Sequence, residues 1–360
     1  MFDFVRLASL TSRYIRLFFV IIFKLDCEVR HMIKIAIDSM GSDEGPEVLS
    51  EGVLDYLKDN KDVSFRIFGD EQILNGIYAG VDRVEVVGTT EVVPMECKPL
   101  DFLRHRDSSM YKAIQAVKAK DCDAVVTAGS TGGFVAGCTI LLRNIPGVPR
   151  AGLCAPFPTY KKGKAALIID IGANNVNTGN DLYCFAKMAY IYSQYILKND
   201  NPSTYVISNG TEEGKGTEEI VEAYNLLKEN NFPGFKGNAE ARNVLDGEHD
   251  IIVCPGFVGN VLLKSTEGVA SLMNQMIKDA FKKNPLTMLG YLFANGGFKD
   301  MKKTMDYRKY GGAMLLGING CAVKAHGNSN AYAFYNALDV SYNMAKVDLV
   351  GLIRRDLNEE

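Results

Sequence analysis

Short apolar runs alternate with helical stretches from Met32 onward, and this alternation constrains the fold more than any other feature of the sequence. The run Ala165-Ala166-Leu167-Ile168-Ile169 contains no polar residue, as expected for a strand whose two faces are both covered. Helical patterns such as Pro46–Lys58 and Thr217–Asn230 separate the runs. The strand candidates are Lys34–Asp38, Ser64–Phe68, Arg83–Val87, Ala124–Thr127, Ala165–Ile171, Thr204–Ser208, Asp250–Val253 and Ala322–Ala325. We therefore predict an α/β fold with a doubly wound, mostly parallel, Rossmann-like sheet that binds ligands at the carboxyl ends of its strands.

The cysteine, histidine and charge patterns argue against several classes of function. The eight cysteines form no CxxC pair and the four histidines form no HxH or HExxH motif, so we predict neither a metal site nor a disulfide framework. The net charge of −3 leaves no chain-wide basic field that would recruit nucleic acid. The sequence has no GxSxG and no complete GxGxxG motif. A serine hydrolase and a nicotinamide dehydrogenase therefore lack their main support, and we predict no cofactor.

The first 31 residues form a separate segment. Their apolar run, Leu17–Phe23, has seven residues between Arg16 and Lys24, whereas a membrane span needs roughly 20. A strand pattern starts directly after Met32. We therefore expect residues 1–31 to be an N-terminal extension outside the fold, with Met32 as the natural start, and residues 32–360 to form the functional domain. A short interfacial anchor is the alternative interpretation of the extension.

One segment breaks the alternation, and it predicts a helical hairpin at about residues 265–308. Its first helix carries one apolar stripe, formed by Val269, Leu272, Met273, Met276, Ile277, Ala280 and Phe281. Asn284-Pro285 ends this helix, and the uncharged run Leu286–Ala294 follows as the tip. Gly296-Gly297 predicts a second break before a helix at Phe298–Arg308. The hairpin either folds onto its own core or forms a subunit interface whose tip contacts a membrane surface, and the length of the stripe favours the interface.

Three glycine-rich turns follow predicted strands and lead toward helices. The first contains Ser130, Thr131 and Gly132, where the free N–H groups of a helix start and two hydroxyls attract an anion. The second contains Gly172 and Asn174; glycine permits close approach of a ligand, and the asparagine amide donates and accepts hydrogen bonds. Both turns also fit a purely structural role as tight turns.

The third turn carries Lys215 between two glycines, ahead of a predicted helix. Only three residues separate Gly210 from Gly214, and Gly216 stands where a P-loop has Ser or Thr, so we exclude a nucleotide P-loop. A lysine beside a helix N-terminus is nevertheless a favourable phosphate site. A solvated surface lysine is the alternative.

In combination, these segments resemble the phosphate acyltransferase family of bacterial phospholipid synthesis, the acyl-carrier-protein:phosphate acyltransferases. The resemblance runs in order through residues 32–340. It comprises Ile35–Asp43, Ser108–Met110, Ala128–Gly132, Asp170–Asn174, Gly210–Glu212, Lys215-Gly216, Gly237-Asn238, Glu240–Arg242, Gly256-Phe257, Gly259–Lys264, Glu267-Gly268, Tyr310–Ala313, Leu316-Gly317, Lys324, His326-Gly327 and Ser329. The chain departs from the family pattern at Ser42, Ser130, Val176, Ser208, Thr217, Pro255 and Val258.

The resemblance implies transfer of a long-chain fatty acyl group from acyl-carrier protein to inorganic phosphate. It also implies a homodimer with a phosphate acetyltransferase-like fold that dimerises partly through the hairpin, without a metal. The protein would be cytoplasmic and peripherally membrane-associated. Its acyl phosphate product would serve phospholipid (phosphatidic acid) synthesis, with a membrane glycerol-3-phosphate acyltransferase as a downstream partner.

On this interpretation, Lys215 is the cation for phosphate or the developing oxyanion, and His326 protonates the leaving thiolate or acts as base. The predicted substrate- and phosphate-binding residues are Ser130, Thr131, Gly132, Gly172, Asn174 and Asn260. A structural role is the alternative for His326, and a covalent route through Cys254 would need an activating neighbour. Two other functions stay open: a coenzyme A-dependent short-chain phosphate acetyl- or butyryltransferase, and a non-catalytic dimeric paralogue that binds acyl-carrier protein or membranes.

Overall fold

The computed structural model describes residues 32–98 and 101–358, which form eleven strands and ten α-helices. The predicted extension at residues 1–31 lies outside the described residues. The strands are β1 (Ile33–Asp38), β2 (Val63–Gly69), β3 (Val84–Gly88), β4 (Ala124–Thr127), β5 (Gly152–Pro158), β6 (Ala165–Ile169), β7 (Thr204–Ser208), β8 (Phe235–Glu240), β9 (Ile251–Val253), β10 (Ala313–Leu316) and β11 (Cys321–Lys324). The helices are α1 (Gly45–Asp59), α2 (Glu71–Tyr78), α3 (Ser109–Lys118), α4 (Thr131–Leu141), α5 (Gly179–Tyr195), α6 (Glu218–Glu229), α7 (Gly256–Lys282), α8 (Pro285–Thr304), α9 (Ala331–Lys346) and α10 (Leu349–Asn358).

All eleven strands join one sheet, in the order β3-β2-β1-β4-β11-β10-β5-β6-β9-β7-β8. The first five strands are mutually parallel, and so are the last four. Three antiparallel pairs in the middle, β11-β10, β10-β5 and β5-β6, reverse the direction. The carboxyl ends of the two halves therefore lie at opposite edges of the sheet. We call these the N-terminal edge, after β1, β4 and β11, and the C-terminal edge, after β6, β9 and β7.

Hydrophobic side chains are buried on both faces of the sheet, as the continuous apolar runs predict. In β1, Ile35 and Ile37 point into one core, where they meet residues of α1, α5 and α9, while Ala36 points into the other. The second core includes residues of α3 and α4, and Val258 and Leu262 of α7 pack against it. The predicted doubly wound, mostly parallel α/β fold is confirmed.

Helices α7 and α8 form the predicted hairpin, but its details differ from the prediction. Helix α7 starts at Gly256 rather than near Ser265, because the glycine-rich start obscured the helical pattern. Helix α8 runs through Gly296-Gly297 without the predicted break, since a helix-interior glycine costs only about 1 kcal/mol relative to alanine. The turn lies at Lys283-Asn284, so lysines flank a tip that was expected to be uncharged.

The hairpin is poorly buried in the single chain. Only two glycines of α7 are buried, and none of α8 is. Leu272 and Met276 of the stripe are 59% and 58% exposed, and Phe293 of the tip is 85% exposed. Rings of Phe281, Tyr291 and Phe298 hold the two helices together, with centroids 5.0–5.7 Å apart. Beside them lies an open apolar cleft of about 710 Å³ between α7 and α8.

Three strands were missed by the sequence analysis: β5, β8 and β10. Strand β5 contains two prolines, which lack the N–H that a central strand normally uses. Strand β8 is an edge strand that includes charged residues. Among the described helices, none combines the length and apolar character needed to cross a membrane.

Candidate active site

The loop after β6 is organised by the buried carboxylate of Asp170. Its Oδ1 accepts hydrogen bonds from the backbone N–H groups of Leu153, Gly172 and Ala173, at 3.1, 3.1 and 2.7 Å. Its Oδ2 accepts from the backbone N–H and the side-chain Nδ2 of Asn174, at 3.0 and 2.7 Å. Burial raises the pKa of Asp170, and these hydrogen bonds oppose that increase. The carboxylate therefore shapes the loop and has no lone pair directed at a ligand.

The same network limits what Asn174 can offer a ligand. Its Nδ2 donates both to Asp170 Oδ2 and to the carbonyl of Ala151, at 2.8 Å. Both side-chain N–H groups are thus used, and only the acceptor Oδ1 stays available. An oxygen acceptor does not attract a phosphate anion, so the contribution of Asn174 is to fix the loop.

The first turns of α7 pack directly onto this loop. A Cβ at Gly259 would lie 1.9 Å from the carbonyl oxygen of Asp170, so only glycine permits this contact. Gly172 has a φ of 128°, and a Cβ there would lie 3.2 Å from Asn260 Cβ. The fold therefore brings two of the predicted site residues, Gly172 and Asn260, side by side at the C-terminal edge.

The Lys215 loop lies at this same edge, because β7 pairs with β9 and β9 pairs with β6. Asn238 Nδ2 donates to the carbonyl of Glu212 at 2.9 Å, and the Lys215 N–H donates to the same carbonyl at 3.3 Å. Gly214 and Gly216 have φ values of 82° and 118°. The lysine is exposed. These hydrogen bonds hold the loop backbone at Glu212, while the Lys215 ammonium is accessible to a ligand.

The N-terminal edge contains the first predicted turn. Ser130 caps α4: its hydroxyl accepts from the N–H of Gly133 at 3.2 Å and donates to the carbonyl of Met95 at 2.9 Å. The hydroxyl is buried and has its partners. Thr131 and Gly132 are exposed at the start of the helix, where backbone N–H groups have no intrahelical partner. Of this turn, Thr131 and Gly132 are the residues accessible to an anion.

His326, two residues after β11, has a carboxylate neighbour that the sequence did not reveal. Its Nε2 lies 3.6 Å from Glu267 Oε1, and Lys264 Nζ lies 2.9 Å from Glu267 Oε2. The ring of Tyr307 lies 5.8 Å from the imidazole, between centroids. Glu267 follows Asn260 by two helical turns on the same face of α7, about 10 Å along the axis. Helix α7 therefore connects the two edges of the sheet.

A buried charge network underlies the N-terminal edge. Both oxygens of Asp38, at the end of β1, accept hydroxyl hydrogen bonds at 2.6 Å, from Ser109 and Thr127. Lys324, the last residue of β11, is buried and hydrogen-bonds to the carbonyl of Ala325. Burial raises the pKa of Asp38, while the charge of Lys324 opposes this shift. Burial likewise lowers the pKa of Lys324 to about 8, although the Asp38 charge favours the ammonium.

Cys254 is unsuited to covalent catalysis. Its Sγ is fully buried and lies 3.4 Å from the carbonyl oxygen of Ile169 and 3.2 Å from that of Asp170. Burial raises the pKa of this thiol well above its ordinary value, whereas a nucleophilic cysteine needs a stabilised thiolate. The geometry therefore argues against Cys254 as a nucleophile.

The predicted site residues thus fall into two groups. The C-terminal edge carries Gly172, Asn174, Lys215 and Asn260, and the N-terminal edge carries Ser130, Thr131, Gly132 and His326. Sequence reasoning missed Glu267 as the partner of His326, and it did not assign roles to Asp38 and Asp170. A charged residue closing an apolar strand, as Asp38 and Lys324 do, is the signal that would have identified the buried network.

Comparison with solved structures defines the class of fold. A phosphotransacetylase from Streptococcus pyogenes superposes with a TM-score of 0.59 at 16% identity, covering 87% of this chain and 94% of that one. A branched-chain phosphotransacylase from Enterococcus faecalis V583 gives a TM-score of 0.53 at 15% identity, covering 87% and 99%. The predicted phosphate acetyltransferase-like fold is confirmed.

Comparison of sequences identifies the family. A family model described as "Fatty acid synthesis protein" matches residues 33–351. The phosphate acyltransferases of Aliarcobacter butzleri (strain RM4018) and Halothermothrix orenii (strain H 168 / OCM 544 / DSM 9562) are each 38% identical to this chain. They cover 91% of it, and 98% and 99% of their own lengths are aligned. The chain belongs to the fatty acid synthesis protein family, and it is an acyltransferase. The family resemblance drawn from the sequence is confirmed.

Proposed function

We propose that this protein transfers a long-chain fatty acyl group from acyl-carrier protein to inorganic phosphate, and that the acyl phosphate product enters phospholipid synthesis. Its relatives are named phosphate acyltransferases, and they align over nearly their whole lengths. The observation that carries the proposal is the exposed Lys215, on a glycine-rich loop at the same edge of the sheet as the loop that holds Gly172 against Asn260. A cation and an amide side chain at the carboxyl ends of neighbouring strands fit a phosphate group.

Phosphate would bind between the Lys215 ammonium and the Asn260 amide. The Asp170 network supports this assignment because it holds the 170–174 loop in one conformation without directing negative charge at the ligand. Asn174 would act through the loop, and Gly172 would leave room for the anion. Preorganised donors of this kind stabilise the charge that develops in acyl transfer.

Transfer is a direct displacement on the thioester. A phosphate oxygen attacks the carbonyl carbon, a C–O bond forms, the C–S bond breaks, and the carrier's pantetheine thiolate leaves. His326, which Glu267 holds about 10 Å along α7 from Asn260, would give that thiolate its proton as the carrier's arm withdraws from the phosphate site. The exposed residues Thr131 and Gly132 lie at the same edge as His326, where their N–H groups would receive the phosphopantetheine phosphate.

Phosphate dependence of thiol release tests the proposal. The protein is mixed with palmitoyl acyl-carrier protein, and free thiol is followed with and without phosphate, without metal or nucleotide. We expect release to require phosphate and an acyl phosphate to accumulate. Equal release without phosphate would identify a thioesterase, and tight carrier binding without turnover would identify the non-catalytic paralogue.

A short-chain phosphate acyltransferase that uses coenzyme A is the alternative enzyme. The solved neighbours share the fold at 15–16% identity, so they do not favour that substrate. We expect palmitoyl acyl-carrier protein to be turned over with a higher kcat/KM than acetyl- or butyryl-coenzyme A. The reverse order would establish the alternative.

We further propose that the hairpin pairs two subunits and that its tip contacts the cytoplasmic membrane surface. The exposed stripe supports pairing about a twofold axis, since each large apolar side chain left in water forgoes roughly 1.5–3 kcal/mol. The tip combines exposed Leu286, Leu289 and Phe293 with lysines, a combination that favours anionic lipid. There a membrane glycerol-3-phosphate acyltransferase would consume the acyl phosphate.

Paired variants separate these two roles of the hairpin. Leu272→Asp with Met276→Asp is expected to give monomer or insoluble chain. Leu289→Glu with Phe293→Glu is expected to give a soluble, active dimer that floats less with anionic liposomes. A stripe variant that stays dimeric in light scattering would place the dimer interface elsewhere, and a tip variant that floats like wild type would exclude the membrane role. A protein starting at Met32 is expected to fold and to be active.

A further inference from the structure

The hairpin differs from the rest of the chain in charge. Residues 256–310 contain nine Lys and Arg and four Asp and Glu, a net +5, in a chain whose net charge is −3. The excess of positive charge is therefore local to α7, α8 and the segment that returns to the sheet. A basic surface on an otherwise acidic protein attracts an anionic partner and orients it during encounter.

Most of the acidic groups in this segment already have partners. Glu267 contacts Lys264 and His326, Asp306 contacts Arg308, and Asp279 accepts from Gln275. Within the described residues, six exposed lysines of the segment have no carboxylate within ion-pairing distance of 4.0 Å. These are Lys278, Lys282, Lys283, Lys299, Lys302 and Lys303.

The six lysines form two groups at opposite ends of the hairpin. The tip group, Lys278, Lys282 and Lys283, surrounds the turn between the helices. The base group, Lys299, Lys302 and Lys303, occupies one face of the last turns of α8, at helical spacing of three and four. Tyr307 follows the base group by four residues, and its ring lies 5.8 Å from the ring of His326.

We propose that the base group is the docking surface for the acidic carrier protein that delivers the acyl thioester. This inference rests on the proposed function and names where its protein substrate binds. The base group precedes Tyr307 by four residues, and the ring of Tyr307 lies 5.8 Å from that of His326, the residue placed at the leaving thiolate, so a carrier bound there would extend its prosthetic arm toward His326. The last carbonyl groups of α8 also favour nearby cations, but that effect requires no exposed three-lysine face.

The base group and the tip proposed to contact lipid occupy different parts of α8. The exposed large apolar residues Leu286, Leu289 and Phe293 lie in the first half of α8, toward the tip. Insertion into a lipid surface uses apolar and basic residues together. Of the base group, only Lys302 lines the apolar cleft, whereas Lys278 and Lys282 of the tip group both do. The base group also precedes Tyr307, the neighbour of His326, by four residues, which favours a protein partner over a membrane.

The experiment compares two charge-reversal variants with two acyl donors. The base variant is Lys299→Glu, Lys302→Glu, Lys303→Glu, and the tip variant is Lys278→Glu, Lys282→Glu, Lys283→Glu. The donors are acyl-carrier protein and the uncharged acyl-pantetheine. We expect the base variant to raise KM for the acyl-carrier protein about tenfold or more, with kcat and the KM for acyl-pantetheine unchanged. The tip variant should leave both KM values unchanged and reduce flotation with anionic liposomes.

Three results would overturn the docking surface. They are an unchanged KM for the carrier in the base variant, an equal rise in KM for both donors, and a loss of liposome flotation with an unchanged carrier KM. If the base variant fails to fold, salt dependence of the wild type decides: added NaCl should raise KM for the carrier and not for acyl-pantetheine, and equal responses would contradict docking. Wild-type protein that turns over neither donor contradicts the proposed function itself.

Discussion

Each half of the sheet has a buried aspartate at or directly after the end of one strand, and a lysine at or after the end of another, but the two halves use these charges differently. In the N-terminal half, Asp38 and Lys324 are both buried and interact with each other. In the C-terminal half, Asp170 is surrounded by N–H donors, and Lys215 lies exposed on the loop after β7, two strands away. Asp38 thus compensates the charge of Lys324, whereas the charge of Lys215 stays available for a ligand.

The partners of the two carboxylates explain this difference. Those of Asp38 are side chains of α3, β4 and β11, so the carboxylate joins three elements of the core. Those of Asp170 are mostly N–H groups of the four residues that follow it, so this carboxylate fixes one loop. Substitutions of either aspartate should therefore act on stability, whereas substitution of the exposed Lys215 should act on catalysis.

Replacing Lys215 tests the catalytic side of this comparison and has the largest expected effect. Lys215→Met should lower turnover at least about a hundredfold, the scale of removing one preorganised charge stabiliser. The free energy of unfolding should stay unchanged, because the side chain is exposed. Turnover is measured by thiol release and stability by urea denaturation. A variant with near wild-type activity would remove Lys215 from the site.

The two aspartates provide a matched pair for stability. Asp170→Asn would place an NH₂ group against the two N–H donors of Asn174, at a cost of about 3 kcal/mol in unfolding free energy. Asp38→Asn should cost about 1 kcal/mol, because the hydroxyls of Ser109 and Thr127 can rotate to accept instead of donate. Urea denaturation of both variants measures the difference. Equal costs would show that both carboxylates serve the same structural purpose.

Replacing Glu267 tests the connection that α7 makes between the two halves of the sheet. Glu267→Gln should lower kcat about tenfold by removing the carboxylate that orients the imidazole of His326, with the KM for phosphate unchanged. In a His326→Asn background, the same substitution should have no further effect, since the two groups act together. Additive losses in the double variant would mean that Glu267 acts independently of His326.

The smallest expected effect is the pH dependence that Lys324 gives to the free energy of unfolding. Its pKa falls from the ordinary 10.5 to about 8 on burial, so between these values the unfolded chain binds more protons at this site. The contribution of this site to the free energy of unfolding therefore rises with pH in that window. Compared with Lys324→Met, the wild type should gain on the order of 1 kcal/mol between about pH 8 and pH 10. A constant difference would show that Asp38 fully compensates the lysine.

The sequence predicted the repeating part of the fold well. Continuous apolar strands, such as the one at Ala165–Ile169, require helices on both faces, and that requirement is local enough to follow from the pattern. The strands with prolines or charges, β5 and β8, did not follow from it. Their pairing is determined by neighbours that are distant in the sequence.

Each turn of the candidate site could be predicted separately, but the contacts between the turns could not. Each glycine-rich turn could be identified because a strand end, a glycine and a helix start lie within a few residues. The pairing of His326 with Glu267 joins positions 59 residues apart in the sequence. The saturation of Asn174 depends on Ala151 and Asp170 together. Such contacts arise from tertiary packing, which hydrophobic periodicity does not predict.

Helix α7 also restricts which insertions and deletions the chain can accept. Asn260 and Glu267 share a face because seven residues complete nearly two turns. One residue inserted between them would rotate Glu267 by about 100° away from His326, while every strand stayed in place. A four-residue insertion would restore the face but lengthen the separation by about 6 Å. The number of helical residues between Asn260 and Glu267 therefore fixes the distance between the site residues at the two edges. Insertions or deletions between residues 260 and 267 should be far less tolerated than those near the hairpin tip.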